Sequence, residues 1–389
     1  MTAPTPAVVR LPDFRLETFF SRWEFAAKYH LTASDAQTMT VRELLALGGE
    51  EDRAAFAELA LGYTETWGTP QLREAVAATY TTCGPEDVLA FAGAEEAIFW
   101  AMQLLAGPGD HVVVTVPNYQ ALETVPQAGG AEVTGVLLDE TEGWRLDLDA
   151  VRAARRPRTR LVAVNFPNNP TGAVPDHDTW QALVELCEER GIRLLADEVY
   201  RGLELDPARS LTQAADMSPT AVSINVMSKS YGLPGLRVGW ITCRDHALLE
   251  ALERHKHYTS ICNAGPSEFL AAIALRAGEQ IHARNKAIIT ENLPLFDAFF
   301  SQHGDLFDWA RPDGGCVAFP RYRGREGAEA FCHELVETEG VLLLPASVYA
   351  SELAPVPADR FRIGLGRRHP APALAAFDRF LTTRPRTRR

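Results

Sequence analysis

The chain has 389 residues, of which 46% are hydrophobic and 23% charged, a composition typical of globular proteins. Its formal net charge of −13 disfavours nucleic acid as a partner, because phosphate backbones repel a negative surface. No run of about 18 uncharged apolar residues occurs, so we expect no contact with a membrane. The six scattered cysteines predict reduced thiols and no metal site.

The two ends of the chain carry no targeting pattern. The opening MTAPTPAVVRLPDF lacks the basic start and apolar core of a signal peptide, so we expect a cytoplasmic protein. The final six residues, 384–389, are basic, and we interpret them as a solvated tail.

The middle of the chain alternates short apolar runs with helical patterns. Strand-like runs occupy residues 111–116, 131–138, 160–166, 192–197, 221–227 and 236–242. A helix is predicted over Asp178–Arg190, where apolar side chains recur on one face. This alternation predicts an α/β fold with a mostly parallel sheet and helices on both faces, in which ligands bind beyond the carboxyl ends of the strands.

Beyond about residue 290 the pattern changes to shorter strand-like pieces, at 316–320, 340–345 and 361–366, separated by a helix. We therefore predict a large domain over residues 46–290 and a smaller α+β domain over 291–389. Residues 1–45 are expected to join the smaller domain.

Three polar stretches follow predicted strands: NFPNNPTGAV at 165–174, LLADEVY at 194–200 and SINVMSKSYGLPGLRVGW at 223–240. A lysine behind a buried strand, such as Lys229, has a lowered pKa and can form a Schiff base with an aldehyde. A carboxylate at a strand end, such as Asp197, can keep an aromatic nitrogen protonated. Taken singly, each also fits a structural role: a surface lysine, a helix-capping aspartate and a turn at Asn169.

The stretch at 223–240 resembles the attachment signature of the class I and II aminotransferases, which are fold-type-I enzymes that use pyridoxal 5′-phosphate (PLP). The matching residues are Met227, Ser228, Lys229, Gly232, Leu233, Gly235, Arg237, Val238 and Gly239. The stretch departs from the signature at Val226, where the family has Gly or Ser. The resemblance implies that Lys229 holds PLP as a Schiff base and that Asp197 pairs with the ring nitrogen. Tyr200 and Asn169 would hydrogen-bond the phenolic oxygen of the ring.

The resemblance also implies a phosphate site where a helix begins, because a helix N-terminus presents free N–H groups. The cofactor residues expected there are Gly93, Ala94, Glu95 and Arg237. Ala92 and Ala94 stand where the family usually has hydroxyls, so Ser228 or Ser230 must supply a side-chain donor. Tyr119 would stack on the cofactor ring. Tyr63 would reach the phosphate in a second subunit, which implies a homodimer with shared active sites.

The implied reaction begins with an amino acid that displaces Lys229 from PLP. Arg362, with Asn169 nearby, would hold the substrate carboxylate, and the freed Lys229 would remove the Cα proton. The family's most common outcome is transfer of the amino group to a 2-oxo acid, so an aminotransferase is the first interpretation.

Two alternatives stay open. Residues 29–47 and the loop at 116–122 are similar to capreomycidine-synthase-type cyclases, so elimination, replacement or cyclisation in natural-product biosynthesis is an alternative. In that case Asp35 and Glu65 could bind a basic substrate side chain, although both also fit solvated or helix-capping positions. A PLP-sensing regulator would require a DNA-binding region, and no basic recognition helix precedes the matched residues.

Overall fold

The structure is a computed structural model that describes residues 11–383, so residues 1–10 and the basic tail 384–389 lie outside the described residues. The strands are β1 (Tyr29–His30), β2 (Val88–Phe91), β3 (His111–Val116), β4 (Glu132–Leu137), β5 (Thr159–Asn165), β6 (Arg193–Asp197), β7 (Val222–Val226), β8 (Gly239–Thr242), β9 (Phe307–Asp308), β10 (Val317–Ala318), β11 (Arg321–Tyr322), β12 (Val341–Leu342), β13 (Leu344–Pro345) and β14 (Phe361–Gly364). The α-helices are α1 (Arg15–Trp23), α2 (Val41–Ala57), α3 (Pro70–Ala77), α4 (Ala94–Leu105), α5 (Ala121–Ala128), α6 (Leu148–Ala154), α7 (His177–Glu189), α8 (Ala214–Met217), α9 (His246–Lys256), α10 (Gly265–Arg276), α11 (Gly278–Gln302), α12 (Gly327–Glu339) and α13 (Ala371–Thr383).

A seven-stranded sheet with the order β2-β8-β7-β6-β5-β3-β4 forms the centre of the molecule. Every pairing among β4, β3, β5, β6 and β7 is parallel, and β8 runs antiparallel to both of its neighbours. All six residues of β3 are buried, as expected for a strand covered on both faces. The predicted α/β fold with a mostly parallel sheet is confirmed.

Helices cover both faces of this sheet. Because neighbouring residues of a strand point to opposite faces, they pack against different helices. Val112 and Val114 pack in the same cluster as Met102 of α4. Val113, between them in sequence, packs in a different cluster with Trp180 of α7. Among the described residues, no helix is long and apolar enough to cross a membrane.

The predicted run at 236–242 forms a strand only from Gly239 onward. Residues Pro234–Leu236 form a 3₁₀ turn, and Arg237 adopts a left-handed conformation with φ 52° and ψ 48°. The chain therefore turns before the strand begins, and Arg237 lies just before β8, at the end of the sheet where Val226 of β7 pairs with Gly239.

The C-terminal part contains a three-stranded antiparallel sheet with the order β10-β14-β13. β1 pairs in parallel with β12, so the N-terminal segment lies beside this part. The boundary placed at residue 290 falls inside α11, and the division into residues 1–45, 46–290 and 291–389 stays a prediction.

The sheet register brings the three motif stretches to the same end of the sheet. Asn165, the last residue of β5, lies opposite Asp197, and Asp197 lies opposite Ile224 of β7. The loops that carry Asn169, Asp197 and Lys229 therefore leave neighbouring strands at the same end of the sheet.

Candidate active site

Lys229 lies in the loop after β7 and meets the N-terminal segment of the chain. Its Nζ donates a hydrogen bond to Ser34 Oγ across 3.0 Å, and its backbone oxygen accepts one from the Ala36 N–H at 3.2 Å. Burial lowers the pKa of the Lys229 amine; the charge of Arg362 acts in the same direction, and Asp35 opposes it. The amine is thus easier to deprotonate than that of an ordinary lysine, which favours a nucleophile or a base.

Asp197 ends β6 and is only 3% exposed. Its Oδ1 accepts a hydrogen bond from the Val199 N–H at 3.2 Å. Burial raises the pKa of the Asp197 carboxyl to about 7, partly offset by that backbone bond and by Lys229. A cationic partner would restore the ionised form, which is the behaviour expected of a carboxylate that pairs with a protonated ring nitrogen.

Asn169 follows β5 and is oriented by two donors. Its Oδ1 accepts hydrogen bonds from Tyr349 Oη at 2.8 Å and from Arg362 Nη1 at 3.1 Å. The amide oxygen is therefore occupied and Nδ2 is left as the donor, the group expected to reach a phenolic oxygen. Tyr200 is 1% exposed, and its Oη makes no hydrogen bond of regular geometry among the described residues; burial raises the pKa of Tyr200, and the nearby Ser34 hydroxyl opposes the shift.

The start of α4 forms an anion site together with Arg237. Gly93 caps the helix with φ 100°, and a Cβ at this position would lie 2.6 Å from Arg237 Nη2. Arg237 Nη1 lies 3.5 Å from Ser228 Oγ, and among residues 11–383 no carboxylate oxygen lies within 4.0 Å of its guanidinium nitrogens. Free N–H groups, a cation without an acidic partner and a nearby hydroxyl suit a phosphate, and this geometry favours Ser228 over Ser230.

Tyr119 and Glu95 lie next to this anion site, Glu95 in the first turn of α4. The Tyr119 ring lies 5.1 Å from the Phe14 ring, just before α1. Burial raises the pKa of the Glu95 carboxyl to about 7, while the nearby Tyr119 hydroxyl opposes the shift. Glu95 Oε2 is buried without a hydrogen-bond partner among the described residues. A Glu95 carboxyl that is protonated below that pH would repel a phosphate less than an ionised one.

Arg362 lies on β14 and is fully buried, with 0% exposure. Its Nη1 donates to Tyr349 Oη at 2.6 Å and its Nη2 donates to the Thr32 backbone oxygen at 2.8 Å. No carboxylate lies within ion-pair distance of Arg362 in the described part of the chain. A buried cation is costly unless an anion compensates it, so this position favours an anionic ligand.

The remaining predicted site residues lie farther from this centre or are already paired. Asp35 accepts from Arg367 Nη2 at 2.8 and 2.7 Å, and Glu65 lies 3.5 Å from Arg73. Tyr63 is 94% exposed and contributes nothing to the site of its own chain. The substrate roles of Asp35 and Glu65 stay predictions, and a role for Tyr63 requires a second subunit.

Several residues that contact the site were not predicted from the sequence. Thr32 and Tyr349 hold Arg362, Ser34 contacts Lys229, and the Phe20 ring lies 5.8 Å from the Arg362 guanidinium. Ser34 lies in the 29–47 segment that resembles the cyclases. No spacing rule indicates which side chain of that segment faces a lysine about 195 positions away.

These groups fit PLP. Among residues 11–383, Tyr200 Oη and Asn169 Nδ2 make no hydrogen bond of regular geometry, no cation forms an ion pair with Asp197, and a side chain at Gly93 would meet the Arg237 guanidinium. A phosphate, a phenolic oxygen and a protonated ring nitrogen would satisfy these groups. The fold and the site define a fold-type-I PLP-dependent enzyme.

The chain belongs to the aminotransferase class I and II family, whose family model matches residues 30–371. It is 32% identical to capreomycidine synthase from Streptomyces vinaceus over 398 aligned positions, which cover 100% of this chain and 99% of the relative. It is 31% identical to arginine–pyruvate transaminase AruH from Pseudomonas aeruginosa, with 78% and 77% of the two chains covered. A PLP-dependent aminotransferase from Streptococcus suis superposes with a TM-score of 0.89 at 30% identity, covering 96% of this chain and 98% of that one.

Proposed function

We propose that the protein removes the Cα proton of an L-amino acid and transfers the amino group to a 2-oxo acid. The observation that carries this proposal is the fully buried Arg362, which has no carboxylate partner among residues 11–383 and lies beside Asn169. PLP, when bound, supplies an electron sink for the charge left at Cα.

The protein's own groups would divide the work as follows. Arg362 would hold the substrate carboxylate, and this contact fixes the orientation of Cα. The Lys229 amine, whose pKa is lowered by burial, would take the Cα proton and return it. Asp197 would keep the ring nitrogen protonated, while Asn169 and Tyr200 would contact the phenolic oxygen. Gly93, Ala94, Ser228 and Arg237 would hold the phosphate.

A second candidate function is elimination, replacement or cyclisation on the same centre. It is favoured by the match with capreomycidine synthase, which runs the full length of both chains, whereas the match with the arginine–pyruvate transaminase covers 78% of this chain. The two candidates share every step up to Cα proton removal. After that step they diverge: transamination releases a 2-oxo acid and retains the amino group, whereas elimination, replacement or cyclisation breaks the bond to a leaving group on the substrate side chain, to which Lys229 can donate its proton.

A basic substrate side chain is supported by the position of α1. Glu17 and Phe20 of this helix and Glu24, its C-terminal capping residue, lie on one side at a spacing of three and four residues. The Phe20 ring lies 5.8 Å from the Arg362 guanidinium, and both carboxylates are close enough to Lys229 to interact with it electrostatically. Burial and the negative charges of Glu17 and Asp35 raise the pKa of Glu24, and Lys229 opposes the shift. A cationic substrate group would relieve this repulsion.

We also propose that two chains form a homodimer with shared active sites. Tyr63 is 94% exposed, and the nearby apolar side chains Leu61 and Tyr258 are 86% and 89% exposed. Thr64 Oγ1 donates to the Asn263 backbone oxygen at 2.8 Å, which fixes this segment against the loop that follows α9. Large exposed apolar side chains on an ordered segment are typical of a protein interface.

The deciding experiment adds single amino acids, including arginine and a hydroxylated arginine, to the PLP-loaded enzyme without a 2-oxo acid. Transamination predicts one equivalent of 2-oxo acid per site and conversion of the cofactor to its amine form. Elimination or cyclisation predicts unchanged cofactor and repeated turnover, with loss of water, ammonia or another leaving group. Failure of every amino acid to exchange its Cα hydrogen with solvent deuterium would refute both candidates.

A further inference from the structure

The Ser34 hydroxyl lies 3.0 Å from the Lys229 amine, across 195 positions of sequence. We propose that Ser34 is a positioning residue for the Cα base: its hydroxyl holds the Lys229 amine in the orientation from which the amine takes and returns a proton. This inference rests on the proposed function, because it requires Lys229 to act at Cα. It concerns a step that precedes the choice between transamination and elimination.

The segment that carries Ser34 is fixed on both sides. The Thr32 backbone oxygen accepts from Arg362 Nη2 at 2.8 Å, and the Ala36 N–H donates to the Lys229 backbone oxygen at 3.2 Å. Strand β14 packs directly against the segment, since a Cβ at Gly364 would lie 2.2 Å from the Ala33 backbone oxygen. Ser34 is itself 9% exposed. The hydroxyl therefore forms a fixed point relative to which the flexible lysine side chain is oriented.

A hydroxyl suits this position because it can both donate and accept hydrogen bonds. It can donate to the lone pair of a neutral amine and accept from the ammonium group that forms when the proton leaves Cα. The neighbouring carboxylate of Asp35 is engaged by Arg367, so it does not replace the hydroxyl as a direct partner of the ammonium. The proton passes from Cα to Nζ and then to its acceptor, and Ser34 ends the cycle unchanged.

Several charged or titratable groups face Lys229 and would remain in any Ser34 variant. They are Glu17, Glu24, Asp35, Asp197, Cys316 and Arg362. Because this surrounding field would be unchanged, a difference between Ser34→Ala and the parent protein would report the hydroxyl itself, whose other neighbour is the Tyr200 hydroxyl.

The test compares Ser34→Ala with Ser34→Thr, which keeps a hydroxyl, and with Ser223→Ala as a matched control. Ser223 is also a buried serine, and its Oγ accepts from the Ala215 N–H at 3.0 Å and donates to Glu198, away from the lysine. The first measurement is the pH midpoint of Cα hydrogen exchange with the amino acid present, because Lys229 is then a free amine. Loss of the acceptor should lower this midpoint by about one unit in Ser34→Ala only.

The second measurement is the rate at which the substrate Cα hydrogen exchanges with solvent deuterium. We expect a loss on the order of tenfold to a hundredfold in Ser34→Ala, and much less in Ser34→Thr and Ser223→Ala. An unchanged midpoint in Ser34→Ala, or equal losses in Ser34→Ala and Ser223→Ala, would overturn the role of Ser34. Absence of Lys229-bound PLP in the parent protein would instead overturn the proposed function.

Discussion

Arg362 donates a hydrogen bond from Nη1 to Oδ1 of Asn169 across 3.1 Å, which joins β14 to the loop that follows β5. Tyr349 Oη contacts both residues, at 2.6 Å from Arg362 Nη1 and 2.8 Å from Asn169 Oδ1. The group proposed to hold the substrate carboxylate is thereby connected to the group proposed to contact the cofactor ring. A substrate bound to Arg362 would lie at a defined distance from the cofactor.

Arg362→Lys should raise KM for the amino acid by about tenfold to a hundredfold, because lysine keeps the charge but cannot form two parallel hydrogen bonds with a carboxylate. The cofactor absorbance of this variant should remain that of the parent protein. Steady-state kinetics together with the spectrum separate the two effects, and an unchanged KM would remove Arg362 from the carboxylate role.

Lys229→Ala should abolish the covalent attachment of PLP while the phosphate contacts at Gly93 and Arg237 remain. Borohydride reduction followed by mass spectrometry detects the attachment directly. Lys256→Ala is a suitable control, since Lys256 is also a buried lysine, with Nζ 3.0 Å from Asn263 Oδ1, but it has no predicted role in attachment. A labelled Lys229→Ala protein would contradict the assignment of the cofactor lysine.

Asp197→Asn should leave the cofactor bound but slow Cα hydrogen exchange by on the order of 10²–10⁴, because the ring nitrogen loses its anionic partner. Deuterium incorporation into the substrate, measured by mass spectrometry, tests this directly. Exchange at the parent rate would show that the protonation of the ring is not controlled by Asp197.

The raised pKa of the Asp197 carboxyl predicts that the stability of the cofactor-free protein depends on pH. Burial raises the pKa of Asp197 to about 7, so the protonated form is favoured in the folded state. Its contribution to the free energy of unfolding is present below about pH 4 and is lost as the pH rises through about 7. Relative to the parent protein, cofactor-free Asp197→Asn should therefore gain a few degrees in Tm between about pH 4.5 and 8. Parallel Tm curves for the two proteins would contradict this.

Glu24→Gln combined with Glu17→Gln should weaken binding of an amino acid with a cationic side chain and leave a neutral one of similar length unaffected. We expect an increase in KM for the cationic substrate of about tenfold, which decreases at high salt because both carboxylates are exposed. The comparison of arginine with citrulline measures the charge effect alone. Equal changes in KM for both amino acids would show that Glu17 and Glu24 do not recognise the charge of the substrate side chain.

The sequence was sufficient to predict the central sheet and the positions of Asn169, Asp197 and Lys229 at one end of its strands. Buried parallel strands read as continuous apolar runs, and each motif follows such a run directly. The contacts of Ser34 and Tyr349 could not be predicted in the same way. They depend on how the segment before α2 and the turn before β14 pack against the sheet, and tertiary packing of this kind leaves no periodic pattern in the sequence.

The buried position of Arg362 has a consequence for how such an enzyme could change during evolution. Its side chain contacts Thr32, Asn169 and Tyr349, which come from three separate parts of the chain. A different anchoring group for the substrate would have to fit against all three of these segments. The partner of Lys229, in contrast, is the side chain of one residue, so a single substitution of Ser34 would change the rate of Cα proton removal and leave the anchoring of the substrate carboxylate intact.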